Sequence, residues 1–109
     1  GTFQAASFVS IGSNLEGIIA ADFDNNGTFD LAVADNGSNN IAILTGNGDG
    51  TFGPKQFYAV GSYAAGLVTG DFNNDGRTDL AVTNTYSDNV AILLNETNSP
   101  SRGAPFLNR

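Results

Sequence analysis

Several residue types with specialised chemistry are missing from this 109-residue chain, which has no cysteine, histidine, tryptophan or methionine. Without cysteine the chain can form neither a disulfide framework nor a thiolate nucleophile. Without histidine it also lacks the commonest general base. The only glutamates, Glu16 and Glu96, form no recognisable catalytic pair. We therefore expect that the chain is not an enzyme.

Positive charge is also scarce. Only four residues are basic, and the formal net charge is -7. A chain this acidic is repelled by phosphate backbones and by anionic lipid surfaces. No apolar run approaches the ~18 residues that a membrane-spanning helix needs. The sequence therefore predicts neither a nucleic-acid partner nor membrane insertion.

The acidic residues concentrate in two nine-residue loops, at residues 22–30 and 71–79. Each loop places side-chain oxygens at its positions 1, 3, 5 and 9 and a glycine at position 6. The two sets are Asp22, Asp24, Asn26 and Asp30, and Asp71, Asn73, Asp75 and Asp79. A cluster of hard oxygen donors is what calcium prefers. The pattern predicts one calcium ion in each loop, two per chain.

Two other interpretations of the loops were weighed. An EF-hand places glutamate at position 12 between helices, but position 12 here is Val33 or Val82, inside an apolar run. The loops could instead be acidic turns without a metal, because Asn and Asp favour turns for their own reasons. Four donors at a fixed spacing, present twice, favour calcium. The glycine-rich segment at residues 46–50 is a further candidate ion site or simply a tight turn.

The loops belong to a repeat of the whole sequence. Residues 1–49 align with residues 50–98 without a gap and with 20 identities. Self-similarity at such a period is typical of solenoids, propellers and other repeat arrays. We expect a first repeat, or blade, at 1–49, a second at 50–98, and a C-terminal tail at 99–109 that is a flexible or edge segment.

Each repeat contains four short segments rich in β-branched and aromatic residues and bounded by turn residues. The predicted strands are 3–11, 18–23, 31–34 and 41–45, then 57–60, 67–72, 80–83 and 90–94. The inner strands are almost continuously apolar, which indicates that both of their faces are covered. Interleaved alanines indicate another sheet packed closely on one side. The pattern predicts an all-β fold of β-propeller blades, each of four antiparallel strands.

The sequence resembles the FG-GAP/VCBS repeats, which build the calcium-binding blades of integrin α-subunit propellers and of many secreted proteins. The resemblance rests on residues 21–33 and 70–82, and on the linking Gly-Asn-Gly-Asp-Gly-Thr-Phe at 46–52. It implies that the backbone carbonyls of Thr28 and Arg77 join the side chains as calcium ligands. One departure from the strictest pattern is an amide in each loop, Asn26 and Asn73.

The resemblance also implies a non-catalytic, calcium-stabilised module for extracellular recognition or cell adhesion, with a protein or glycan ligand. One alternative is a lectin that binds carbohydrate between blades, and another is an accessory module of a secreted hydrolase. Propellers usually contain four to eight blades. Two repeats therefore imply either part of a longer array or a homo-oligomer, for example of three or four chains.

Overall fold

The computed structural model describes residues 2–96 and the backbone of residues 106–108. Eight strands follow one another along the chain, and no helix occurs among the described residues. They are β1 (Leu15–Ala21), β2 (Asp30–Asp35), β3 (Asn40–Gly46), β4 (Phe52–Ala59), β5 (Ala64–Gly70), β6 (Asp79–Asn84), β7 (Asn89–Asn95) and β8 (Phe106–Asn108).

The strands form two antiparallel four-stranded sheets. The first sheet has the order β1-β2-β3-β4, and the second has the order β5-β6-β7-β8. Within each sheet, every strand pairs with the next one along the chain, so both sheets are simple meanders. The prediction of an all-β chain built from four-stranded propeller-type blades is confirmed.

The two sheets stack face to face around one apolar core. The first sheet contributes Ala32, Ala34, Ile41 and Ile43 to it, all fully buried, and the second contributes Ala64, Leu80, Val82 and Leu93. The three alanines of this core leave room for close approach of the sheets. A Cβ at Gly17 in β1 would collide with the carbonyl oxygen of Ala65 in β5. Glycine at that position therefore permits the approach.

The predicted strand at residues 3–11 is wrong, because residues 2–12 form no strand. The side chains of Phe3 and Phe8 are almost fully exposed. Apolar composition alone does not make a strand, since a strand needs a free sheet edge to pair with. The segment adds no strand to the first sheet, which consists of β1 to β4.

The sheets and the sequence repeats are out of phase. Strand β4 begins at Phe52, earlier than the predicted start at residue 57, and it completes the first sheet. The first sheet therefore takes its fourth strand from beyond residue 49. The predicted tail supplies β8 as an edge strand of the second sheet. Residues 97–98 of the second repeat and 99–105 and 109 of the tail lie outside the described residues.

Candidate metal centres

The first acidic loop connects β1 to β2, where the chain must reverse between two adjacent strands. Carboxylate oxygens of Asp22, Asp24 and Asp30 lie within 4.8 Å of one another. The Asp22 carboxylate accepts hydrogen bonds from the backbone N–H of Asn26 (3.2 Å) and of Gly27 (2.8 Å). Gly27 has φ = 89°, a left-handed conformation that glycine adopts without steric cost. The loop thus folds its own ligand candidates inward.

Asp30 anchors this loop to the sheet. Its side chain is fully buried, and its two oxygens accept 2.8 Å hydrogen bonds from the backbone N–H groups of Phe23 and Gly46. One carboxylate therefore ties the start of the loop to the end of β3. Each carboxylate oxygen has a second lone pair, so Asp30 can hold these bonds and still face a cation.

Asp24 is the residue whose environment most clearly fits a cation. Its Oδ1 atom is buried and has no hydrogen-bond partner among the described residues. Burial, then the negative charge of Asp30 and the neighbouring Asp22 carboxyl, raise the pKa of Asp24 from 3.8 to about 6. Protein groups alone therefore leave this carboxylate poorly solvated and repelled by its neighbours. A divalent cation would correct both deficits.

The second loop, between β5 and β6, repeats the arrangement. Carboxylate oxygens of Asp71, Asp75 and Asp79 lie within 4.8 Å of one another. With its amide oriented to satisfy hydrogen bonding, Asn73 donates to Asp75 Oδ1 (3.0 Å) and Asp71 Oδ1 (3.2 Å). Asp79 is fully buried, like Asp30. It accepts from the backbone N–H groups of Phe72 (2.9 Å) and Asn95 (2.8 Å).

The two loops differ in one electrostatic respect. The Arg77 guanidinium forms an ion pair with Asp75, with 3.1 Å between Nη1 and Oδ2. Hydrogen bonds from the Arg77 backbone and side chain lower the pKa of Asp75 below its usual value. The first loop has Thr28 at this position, whose hydroxyl donates to Asn26 Oδ1 (2.8 Å). A cation in the second loop must therefore compete with a positive charge supplied by the protein.

The structure brings the predicted carboxylates together in both loops, and it places Asn73 among those of its loop. The side-chain oxygen of Asn26 instead accepts bonds from Thr28 N (3.0 Å) and Thr28 Oγ1. The assignments of Asn26 and Asn73, and of the Thr28 and Arg77 carbonyls, as calcium ligands stay predictions.

One residue that supports the second loop was not predicted from the sequence. The buried Asn95 side chain donates from Nδ2 to the carbonyl oxygens of Phe23 and Thr78. It thereby links the end of β7 to the acidic loop of each sheet. The repeat offered no signal for this role, because the equivalent residue 49 positions earlier is Gly46.

The segment at residues 46–50 forms a tight turn that follows from the end of β3. Asn47 N donates to the Thr51 carbonyl (3.0 Å), and Gly48 and Gly50 have φ values of 88° and 96°. The Asp49 carboxylate accepts from the N–H and hydroxyl of Thr51, and these bonds lower its pKa. A carboxylate satisfied in this way favours a turn over a third ion site.

Among the described residues, no helix is long and apolar enough to cross a membrane.

Fold and loops together define a repeat module of stacked, propeller-type blades, each with an acidic loop between its first two strands. A family model for the FG-GAP-like repeat matches residues 22–82, and a model for the FG-GAP repeat matches residues 63–102. The chain belongs to the FG-GAP repeat family. No curated protein and no solved structure matches the chain.

Proposed function

We propose that this chain is a calcium-stabilised, non-catalytic recognition module of an extracellular protein. The observation that carries the proposal is the buried, unpartnered Oδ1 of Asp24 inside a cluster of three carboxylates. The same type of cluster recurs one repeat later. Both clusters sit at the same place in their sheets, between the first and second strands.

The residues of each loop hold a cation for a structural purpose. Asp22, Asp24 and Asp30 would hold one ion, and Asp71, Asp75 and Asp79 the other. Bound calcium supplies charge neutralisation and oxygen coordination. Asp30 and Asp79 carry that effect into the fold, because both are also bonded to the backbone of neighbouring strands. Calcium-binding modules outside the cell often rely on millimolar calcium, which supports an extracellular location.

A non-catalytic role is supported by the chemistry of the available side chains. The sequence has no histidine or cysteine, and the clustered carboxylates serve the two loops. FG-GAP repeat modules are generally non-catalytic. The function then depends on a protein or glycan ligand that binds to the surfaces of the stacked sheets.

Binding stoichiometry tests the proposal. We expect isothermal titration calorimetry and native mass spectrometry to find two calcium ions per wild-type chain. Asp24→Asn and Asp75→Asn should each retain one ion, because each substitution removes a negatively charged oxygen ligand from a different loop. Asp88→Asn is the matched control, since Asp88 is an exposed aspartate outside both loops. A wild-type chain that binds no calcium at millimolar concentration, or an Asp24→Asn chain that keeps two ions, would contradict the proposal.

The Arg77 ion pair predicts unequal sites. Replacing Arg77 with Thr gives the second loop the residue that the first loop has, and removes the competing positive charge. Exposed ion pairs are weak, so we expect the second site to bind calcium about threefold more tightly. Calorimetry in the Asp24→Asn background isolates that site. Lys55→Thr, which removes the same charge from β4, should leave the affinity unchanged, and an equal gain there would argue against the ion-pair explanation.

Carbohydrate binding is the second candidate function. Tyr63 and Tyr86 stack with ring centroids 4.4 Å apart, and Tyr86 is 72% exposed. An exposed aromatic face held by a second ring is a surface on which a sugar can stack. A glycan-array signal that Tyr86→Ala abolishes would favour a lectin over a protein-binding module.

A further inference from the structure

Residues 3–10 are equivalent in the repeat to a strand of the first sheet, but they do not form a strand themselves. A shift of 49 residues places them on residues 52–59, which form β4, the outer strand of the first sheet. Phenylalanine recurs at equivalent positions, Phe3 with Phe52 and Phe8 with Phe57. Yet Phe3 and Phe8 are 100% and 90% exposed. Within the part of the chain that the structure describes, this segment with strand-type composition therefore belongs to no sheet.

The chain enters its first sheet in the same way as it enters its second. The Asn36 N–H bonds to the Asn14 carbonyl, and the equivalent Thr85 N–H bonds to the Tyr63 carbonyl, both at 3.1 Å. Ile11 packs against an apolar cluster within the first sheet. Its equivalent, Val60, packs against the core between the two sheets. Residues 11–14 thus match residues 60–63, which lead out of β4. The segment before residue 11 is placed as if it came from the fourth strand of a preceding sheet.

Part of the outer edge of β7 in the second sheet is unpaired among the described residues. Strand β4 pairs with β3 along the whole length of β3, from Asn40 to Gly46. Strand β8 pairs with β7 only at residues 93–95. Among the described residues, no strand pairs with residues 89–92 on that side of β7. Unpaired strand edges are templates for strand addition from another chain.

Residues of the first sheet that are buried between the two sheets have exposed equivalents, 49 residues later, in the second sheet. Phe23 is buried between the sheets, with 1% exposure, whereas its equivalent Phe72 is 48% exposed. Ile43 is fully buried, whereas its equivalent Ile92 is 37% exposed. These residues are exposed because no third sheet covers the second one among the described residues. At the other end of the stack, Ile18 of the first sheet is also exposed.

We propose that residues 3–10 of one copy pair with β7 of a second copy and become the fourth strand of its second sheet. The contact between two copies then repeats the contact between the two sheets of one chain, with a shift of one repeat. By that equivalence Ser7 lies opposite Ile92, Phe8 opposite Ala91 and Val9 opposite Val90, and the short strand β8 is displaced. The contact is head-to-tail, so successive copies form a ring or an open array. The proposal depends on strand pairing and does not require calcium.

Directed cross-linking tests the register, because the chain has no cysteine of its own. A Val9→Cys chain is mixed under oxidising conditions with a 15N-labelled Val90→Cys chain, and mass spectrometry identifies the mixed disulfide. A 15N-labelled Val68→Cys chain is the matched control. Val68 and Val90 are similarly exposed, at 58% and 56%, but Val68 lies on β5 rather than β7. We expect at least tenfold more mixed disulfide with Val90→Cys. Equal yields, or none with Val90→Cys, would overturn the proposal.

Proline substitution tests the ladder itself by analytical ultracentrifugation. Successive backbone N–H groups alternate in direction, so the double variant Ser7→Pro, Phe8→Pro must lose a ladder donor. We expect it to weaken self-association at least tenfold. Ala5→Pro should associate like the wild type, because β4 itself has Pro54 at that position. Circular dichroism checks that both variants keep the fold. The substituted residues lie outside the strands, so we expect no change in the spectrum. A monomeric wild type, or equal association of all three chains, would refute strand exchange.

Discussion

Calcium should raise the thermal stability of this chain by tens of degrees. A ligand that binds only the folded state adds about 2.7 kcal/mol per site when it is a hundredfold above its dissociation constant. Two independent sites would then add about 5 kcal/mol. For a chain of this size that corresponds to about 20 °C in melting temperature. Differential scanning calorimetry measures the shift between EDTA and a calcium concentration a hundredfold above the dissociation constant found by titration.

The Asp24→Asn variant is the informative control for this result. In calcium it should lose about half of the wild-type stabilisation, since only the second loop still binds fully. In EDTA it should unfold at the same temperature as the wild type or higher, because the amide removes a buried charge that repels Asp22 and Asp30. A variant that melts lower than the wild type in EDTA would show that Asp24 stabilises the fold without a cation.

The parts of the fold that the sequence predicted are those with local causes. The strand predictions at 31–34 and 80–83 fall within β2 and β6. The apolar residues of these inner strands are buried or half-buried, as expected where neighbouring layers cover both faces. The positions of the two acidic loops between strands also agree with the sequence, and their role as calcium sites stays a prediction. Donor spacing and the glycine at position 6 are fixed by the turn itself, and Gly27 and Gly76 both have positive φ.

The phase of the sheets could not be predicted from the repeat. Self-similarity fixes a period of 49 residues, but any window of that length describes the repeat equally well. Where a sheet begins depends on which edges pair, and edge pairing is non-local. Residues 3–11 and β4 occupy equivalent positions of the repeat and share two phenylalanines, although among the described residues only β4 pairs with a neighbouring strand. Strand β8, with three residues, is too short for a periodic signal.

Differences between the two repeats were also invisible to the spacing argument. Asn95 bridges the two loops whereas Gly46 has no side chain, and Arg77 pairs with a ligand candidate whereas Thr28 does not. Such contacts arise because substitutions within a repeat meet a different neighbour in each copy. The repeat predicts the shared framework, and the structure shows how each sheet departs from it.

Asp30→Ala should destabilise the fold strongly even in EDTA. The substitution leaves the buried N–H of Phe23 and the partly buried N–H of Gly46 without an acceptor. Each unsatisfied buried donor costs about 1–3 kcal/mol, so we expect a loss of about 4 kcal/mol in the free energy of unfolding. That is a large share of the 5–15 kcal/mol typical of a domain. Urea denaturation in EDTA measures it without any contribution from a bound cation.

Asp22→Ala is the matched comparison, because it removes the same charge from the same cluster. Asp22 also accepts two backbone hydrogen bonds, from Asn26 and Gly27, but both are exposed, so water can replace the lost acceptor. We expect that variant to lose less than about 1 kcal/mol in EDTA. Asp30→Asn, which keeps one acceptor oxygen, should fall between the two and remain measurable if Asp30→Ala does not fold. Equal losses for Asp22→Ala and Asp30→Ala would mean that Asp30 acts through its charge alone, and that its bonds to β3 and to Phe23 contribute little to the fold.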